Sequence, residues 1–315
     1  MTTRIEQSFG AKIYSNIGGI VAELRSLRTA SQKSRYREGP LPELPSREAI
    51  AEIVEGLVSV LYPRHFGPPG LMPDTTDEFL ARTLEHSLRL LQEQVRRELQ
   101  LVAGNGDQSS VNVEPRAFEI ASEFAAGLPK ARALLDSDIR AAYEGDPAAK
   151  SLDEIVFCYP GVAAVIRHRL AHQLYLLGVP MLARIIAEIA HSQTAIDIHP
   201  GAEIGESFFI DHGTGVVIGE TAVIGRHVRL YQAVTLGAKR FEVDEHGALI
   251  KNYARHPILE DDVVIYAGAT VLGRITIGRG SAIGGNVWLT HSVPPGSNIT
   301  QAKVRTESFD DGGGI

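Results

Sequence analysis

Apolar residues return at every sixth position from Ile198 to Leu289. The register runs through Ile204 and Ile210 and resumes at Ile218 after a shift of two residues. An α-helix repeats every 3.6 residues and a half-buried strand every two, so neither explains this period. Hexads with glycines at tight corners predict a parallel β-helix, in which short strands stack in successive coils. Because such a solenoid is regular, a functional site is expected where the repeat breaks.

The first break carries a candidate general base. Asp211 and His212 stand between Ile210 and the shifted register, and glycines follow them. An imidazole is available in its neutral form near pH 7 and can accept a proton from a substrate, although a surface histidine at a corner is the alternative. Asp197 lies about one coil earlier, in an adjacent coil or on a neighbouring subunit. It could orient the imidazole or simply cap the first strand.

The second break is the polar segment 238–254, which predicts a protruding loop. Arg255 and His256 stand where the hexads resume. A guanidinium offers a planar fork that matches a carboxylate, so this pair favours a small acidic or amino-acid substrate. The alternative is a pair of exposed loop residues.

The first half of the chain has helical patterning. Ser46 is a predicted N-cap, and helices are expected from there to Pro63, from about Asp74, and over 115–127, 130–143 and 161–192. His168 and His172 are spaced i,i+4 on the last helix, where packing is favoured over metal binding. The sequence thus predicts an α+β protein with an arm or linker (1–45), an α-helical domain (46–195), a β-helix catalytic domain (196–297) and a flexible tail (298–315).

Composition narrows the possible partners. The 315 residues include 31 Lys and Arg against 38 Asp and Glu, a formal charge of −7, with no basic run for nucleic acid. Cys158 is the single cysteine, which excludes an intrachain disulfide and a zinc site of paired cysteines. Neither a secretory signal nor a membrane span is expected. We therefore expect a soluble, cytoplasmic protein that binds neither nucleic acid nor membrane.

Three motifs resemble one enzyme family. The segments DIHPGAEIG at 197–205 and DHGTGVVIGETAVIG at 211–225, together with Arg255-His256-Pro257, resemble the serine O-acetyltransferases of cysteine biosynthesis. The hexads are common to many acyltransferases, whereas these motifs are more specific. The resemblance implies a left-handed parallel β-helix of hexapeptide repeats, assembled as a homotrimer or a dimer of trimers.

The resemblance also implies roles for individual residues. His212 matches the general base that takes the proton of the serine hydroxyl, and Asp197 matches the acid that orients it. The oxygen then attacks acetyl-CoA directly, without an acyl-enzyme. The family's remaining substrate contacts match Asp146 and Asp211 for the serine ammonium group, and Arg255 and His256 for its carboxylate.

Acetyl-CoA is implied as a co-substrate, with no permanently bound cofactor and no metal. Its groove would lie between neighbouring solenoids, beside Gly237 and Ala238 on one side and Ala267 and Gly268 on the other. The sequence departs from the family at Ala282, where commoner members carry a lysine that contacts CoA. The tail 310–315 ends in Ile315 and resembles the family segment that inserts into O-acetylserine sulfhydrylase.

Other functions fit the same architecture. A hexapeptide acetyltransferase for another hydroxyl acceptor would keep the histidine base but would not need Asp146, Arg255 and His256 together. A γ-class carbonic anhydrase would need three histidines around zinc, and the predicted solenoid has no H-x4-H pair. A catalytically silent regulatory partner of the sulfhydrylase is disfavoured because the base, its acid and the carboxylate fork are all present.

Overall fold

A computed structural model describes residues 16–35, 42–104 and 113–301. Its helical part precedes a β-solenoid, as the sequence predicts. The helices are α1 (Ile17–Arg35), α2 (Arg47–Leu61), α3 (Pro63–Phe66), α4 (Pro73–Gly104), α5 (Val113–Gly145), α6 (Leu152–Cys158), α7 (Pro160–Leu176) and α8 (Pro180–Thr194). The side chain of Ser46 accepts the Ala49 N–H and so caps α2, as expected.

Two of the helix predictions were wrong. Residues 113–145 form the single helix α5, which continues through Pro129. A buried apolar stripe runs along it on both sides of the proline and packs against α7, and this burial outweighs the roughly 3 kcal/mol cost of an internal proline. Conversely, the stretch 161–192 is interrupted, because Gly178 takes a left-handed conformation (φ +82°) and Pro180 starts the new helix α8.

The solenoid is a left-handed parallel β-helix of three sheets. Sheet A contains β1, β4, β7, β10 and β13, sheet B contains β2, β5, β8 and β11, and sheet C contains β3, β6, β9, β12 and β14. The strands are β1 (Asp197–Ile198), β2 (Glu203–Ile204), β3 (Phe209–Ile210), β4 (Val217–Ile218), β5 (Val223–Ile224), β6 (Arg229–Leu230), β7 (Thr235–Gly237), β8 (Ile258–Leu259), β9 (Val264–Ile265), β10 (Thr270–Leu272), β11 (Thr276–Ile277), β12 (Ala282–Ile283), β13 (Trp288–Leu289) and β14 (Asn298–Ile299).

Strand pairing locates both breaks of the repeat. Val217 pairs with Thr235, the regular step of one coil, whereas Asp197 pairs with Val217, which leaves two extra residues at the first break. The second break is the loop 238–254, within which Val243 and Leu249 form an antiparallel bridge. Strand β14 pairs with β12, so the solenoid extends past the predicted boundary at 297. The predicted tail segment 310–315 lies outside the described residues.

A buried ion pair fixes the helical part against the solenoid. Arg169 on α7 and Asp138 on α5 form a bidentate pair with both N···O distances at 2.9 Å. Arg169 also donates to the carbonyls of Ile204 and Gly205, and Asp138 accepts the Phe208 N–H. These bonds satisfy the buried charges and hold the end of α5 beside sheet C.

The two histidines of α7 have packing roles. The rings of His168 and His172 stack with centroids 5.7 Å apart, and His172 Nδ1 lies 2.8 Å from the Pro200 carbonyl. Burial lowers the pKa of His168 well below its usual value, so that ring is neutral. In the described parts of the chain, no helix combines the length and apolar character needed to cross a membrane.

Candidate functional site

His212 occupies a corner between sheet C and sheet A, which we name the C–A edge. Its backbone is left-handed (φ +59°), and its side chain is 70% exposed. Gly213 follows at φ +92°, and a Cβ there would lie 2.4 Å from Ile196 Cδ1, so the turn requires glycine. The two extra residues of the first break thus present an imidazole to solvent from a rigid frame.

Two acidic residues surround His212. The carboxylate of Asp211 is buried and accepts a 2.5 Å hydrogen bond from Arg229, and its second oxygen lies 3.9 Å from His212 Nε2. Asp146 follows the end of α5 and accepts bonds from the Tyr159 hydroxyl at 2.5 Å and the Ala148 N–H at 2.8 Å. The Tyr159 hydroxyl, the Ala148 N–H and the charges of Arg229 and His212 hold the pKa of Asp146 below its usual value.

An aromatic stack supports this cluster. The Arg229 guanidinium lies over the ring of Phe209 at 5.0 Å and over the ring of Tyr231 at 4.6 Å. Tyr231 in turn stacks on Tyr266 with centroids 5.2 Å apart. Arg229 therefore contacts two rings while it pairs with Asp211, which fixes the direction of that carboxylate.

Arg255 and His256 occupy a different corner, between sheet A and sheet B, which we name the A–B edge. Thr221 Oγ1 accepts the backbone N–H groups of Arg255 at 2.9 Å and of His256 at 3.1 Å. The Thr221 N–H donates to His256 Nδ1 at 3.0 Å. Since Nδ1 is an acceptor, the proton of the neutral ring is on Nε2. The segments Gly219-Glu220-Thr221 (the GET motif) and Arg255-His256-Pro257 are thus hydrogen-bond partners in neighbouring coils.

Gly219 makes room for the ring of His256, and burial determines its protonation state. A Cβ on Gly219 would lie 2.2 Å from His256 Nε2, so glycine is required beside the ring. Burial and the neighbouring Arg255 charge lower the pKa of His256 to about 4. The ring therefore remains a neutral hydrogen-bond donor through the physiological pH range.

Arg255 is oriented by an acidic partner. Its Nη2 donates to Glu220 at 2.6 Å, and the other oxygen of Glu220 accepts the Tyr175 hydroxyl at 3.2 Å. Burial opposes ionisation of Glu220, but the bond from Arg255 and the charge of His199 hold its pKa below the usual value. Glu220 is therefore ionised. Its ion pair with Arg255 fixes the direction of the other N–H groups of the guanidinium.

The predicted site residues fall on two edges of one chain. Asp211, His212, Ala267 and Gly268 lie on the C–A edge, with Asp146 beside it, and Gly237, Ala238, Arg255 and His256 lie on the A–B edge. Sheet A separates the two edges. Asp197 lies on β1 in sheet A, and within the described residues no hydrogen bond joins it to His212.

The sequence analysis did not identify four residues that support the candidate site. Tyr159 and Arg229 hold the two acids of the C–A edge, and Glu220 and Thr221 hold the A–B edge. The GET motif contained a signal for the latter two. Nothing local marks Tyr159 or Arg229, because each acts on an acid that is distant in sequence.

His256 makes stability dependent on pH. Its pKa is about 6.5 in an unfolded chain and about 4 in the fold, so acidification protonates the unfolded state first. We expect the wild type to lose about 2 kcal/mol of unfolding free energy from this group between pH 7.5 and 5. Urea unfolding should show a smaller loss for His256→Asn, whereas the exposed His227→Asn should match the wild type. Equal losses in His256→Asn and the wild type would contradict the assignment.

Comparison with known proteins identifies the family. No protein-family model matches the chain. A plasmid-encoded serine acetyltransferase of Synechococcus elongatus is 57% identical over 99% of this chain and 97% of its own length. Serine acetyltransferase 1 of Entamoeba histolytica, solved in complex with L-cysteine, is 34% identical over 92% of this chain and all of its own, with a TM-score of 0.69.

A plant enzyme is also similar. Soybean serine acetyltransferase complexed with serine is 31% identical over 81% of this chain and 96% of its own, with a TM-score of 0.51. The two solved structures match 92% and 81% of this chain, so each match includes residues of both the helical part and the solenoid. On the strength of the 57% identical relative that aligns along nearly its whole length, the chain belongs to the serine acetyltransferase family.

Proposed function

We propose that this serine O-acetyltransferase of L-cysteine biosynthesis works at sites shared between neighbouring subunits of a homotrimer. The enzyme transfers the acetyl group of acetyl-CoA to the hydroxyl of L-serine. One observation carries the shared site: the base and its acids lie on the C–A edge, whereas the carboxylate-binding pair lies on the A–B edge of the same solenoid. A C–A edge packed against the A–B edge of the next copy brings both sets together.

In the proposed reaction His212 acts as the general base. Its imidazole removes the serine hydroxyl proton while that oxygen bonds to the thioester carbonyl carbon. The carbon–sulfur bond then breaks, and the leaving CoA thiolate takes the proton from the imidazolium, so no acyl-enzyme forms. Asp197 orients the imidazole. In support, two backbone hydrogen bonds connect the segment of Asp197 to the His212 turn: the Gly215 N–H donates to the Ala195 carbonyl, and the Asp197 N–H donates to the Val216 carbonyl.

Charge complementarity positions the amino acid. The serine ammonium group binds the carboxylates of Asp146 and Asp211, which are oriented by their hydrogen bonds with Tyr159 and Arg229. The serine carboxylate binds the guanidinium of Arg255 and the Nε2–H of His256 on the neighbouring subunit. An acceptor without an α-amino acid group would give these four residues no substrate group of complementary charge, which favours serine over other hydroxyl compounds.

The residues predicted to line the acetyl-CoA groove are also distributed over the two edges. Ala267 and Gly268 lie on the C–A edge, and Gly237 and Ala238 lie on the A–B edge. Beside Gly237, a groove is lined by Lys239, Arg240 and Arg274, whose positive charges outnumber that of Glu242 and suit the CoA phosphates. Lys239 is thus our candidate for the role of the lysine that Ala282 replaces.

Mixed subunits test the shared site. At L-serine concentrations far below saturation, His212→Ala and Arg255→Ala each leave every site of a pure oligomer nearly inactive. In oligomers co-expressed at equal amounts, one pairing in four joins an intact C–A edge to an intact A–B edge, so about a quarter of wild-type activity should return. The matched control combines His212→Ala with His212→Gln, which damage the same edge and should recover nothing. A mixture no more active than its parents would overturn the shared site.

The C-terminal tail supplies a proposed partner. Segment 310–315 ends in a glycine run and Ile315, which together can present a free carboxylate and one apolar side chain. We expect it to bind O-acetylserine sulfhydrylase, and deletion of Ile315 should abolish that binding in a calorimetric titration. Lys303→Ala in the same tail is the control and should bind normally. Unchanged affinity after the deletion would contradict the proposal. The cytoplasmic location expected from the sequence stays a prediction.

A further inference from the structure

Helix α1 displays apolar side chains to solvent. It lies within the segment 1–45 that the sequence predicts as an arm or linker. Leu24 is 57% exposed and Leu27 is 68% exposed, and none of the apolar residues of α1 joins the buried core. The exposed set comprises Ile17, Ile20, Val21, Leu24 and Leu27. A contiguous apolar stripe of this kind marks an interaction surface.

The spacing of this stripe is that of a coiled coil. Ile17 and Leu24 fall at position a of a heptad, and Ile20 and Leu27 fall at position d. Val21 falls at position e and borders this a/d seam on one side, and an a/d seam suits a partner helix that lies nearly parallel. The opposite face holds small or polar residues at b, c and f, namely Gly18, Gly19, Ala22, Arg25, Ser26 and Thr29. The stripe therefore suits a second copy of the same helix.

The charges beside the seam specify a parallel orientation. Glu23 occupies position g, and Arg28 occupies position e of the next heptad. In parallel coiled coils a g residue faces the e residue five positions later on the partner, so Glu23 faces Arg28 of the neighbouring copy. An antiparallel arrangement loses this pairing. Isoleucine at both a and d in the first heptad, Ile17 and Ile20, favours three strands over two.

We infer that the α1 helices of three copies pack together as a parallel coiled coil. This inference rests on the homotrimer of the proposed function, and it adds a second contact between the same subunits. Two heptads alone make a marginal coiled coil in water. Attachment to an already assembled trimer makes the association intramolecular and raises the effective concentration of the helices.

Cysteine cross-linking tests the inference in the full-length chain. Cys158 is exposed and free, so the background is Cys158→Ser. Leu24→Cys places a thiol at the a position of the seam, and the matched control Ala22→Cys places one on the opposite face. Under mild oxidation of the isolated oligomer, Leu24→Cys should form disulfide-linked dimers about tenfold faster than Ala22→Cys, with about two thirds of its chains linked at completion.

A charge exchange tests the parallel orientation. Added to the Leu24→Cys protein, Glu23→Lys should slow cross-linking several-fold because it faces Arg28. Adding Arg28→Glu as well should restore the rate, since the exchanged pair is again of opposite charge. A double variant that cross-links as slowly as the single one would overturn the parallel arrangement.

The remaining outcomes separate this inference from the shared active site. Equal or absent cross-linking at positions 22 and 24 in an oligomer that passes the subunit-mixing test overturns the coiled coil alone. A protein that sediments at its monomer mass of 34.1 kDa overturns both. Co-sedimentation of the wild type, but not of Leu24→Asp, with anionic phospholipid vesicles would assign the stripe to a membrane surface and overturn the inference.

Discussion

Replacement of His212 by alanine is expected to lower kcat by about two to four orders of magnitude, the usual range for loss of a general base. The side chain lies at the surface of a rigid corner, so its removal leaves no cavity in the core. The loss should therefore appear in kcat, with the fold and the KM for acetyl-CoA nearly unchanged. The measurement is CoA release from acetyl-CoA and L-serine.

His227→Ala is the matched control for this experiment. His227 is also an exposed histidine with a left-handed backbone (φ +55°), but it occupies a corner between sheets B and C. Its replacement should leave kcat within about twofold of the wild type, as for most surface substitutions. Asp197→Asn should lower kcat by about 10- to 100-fold if Asp197 orients the imidazole. A His212→Ala enzyme that retains wild-type kcat would refute the general-base role.

Replacement of Arg255 by alanine is expected to lower kcat/KM for L-serine by about 30- to 4000-fold. Loss of one partner of a close, partly buried charge pair costs about 2–5 kcal/mol, and each 1.4 kcal/mol is a factor of ten. The loss should appear mainly as a raised KM for serine, because the guanidinium binds the carboxylate and not the reacting hydroxyl. The KM for acetyl-CoA should change little.

Two variants sharpen the test of Arg255. Arg255→Lys retains the charge but lacks the planar fork, so its defect should be intermediate. Arg226→Ala is the control, because Arg226 forms a more exposed ion pair with Asp261 (3.2 Å) away from both edges of the site, and its KM for serine should match the wild type. A normal KM for serine in Arg255→Ala would exclude Arg255 from carboxylate binding.

The sequence predicted the solenoid better than the helices. The hexads of the β-helix are local and repeat many times, and Leu259 and Ile277, which stand three hexads apart, lie on neighbouring strands of one sheet. The helical part lacks such a repeat. Pro129 is a helix breaker by local rules, and only the burial of the surrounding stripe against α7 decides that α5 continues.

The sequence singled out the residues of the candidate site because each motif combines a residue type with a break in a regular pattern. His212 stands at the two-residue shift, and Arg255 and His256 stand at the end of the loop. Local residue type and period determine the class of fold and the groups available for catalysis.

Only the tertiary structure decided how these groups are arranged. Asp146 is fixed by Tyr159, Asp211 by Arg229 and His256 by Thr221, and each partner comes from another element or coil. The coil geometry also assigns His212 and Arg255 to different edges, with sheet A between them. Such pairings depend on packing between residues far apart in the chain, and no local pattern of residues records them.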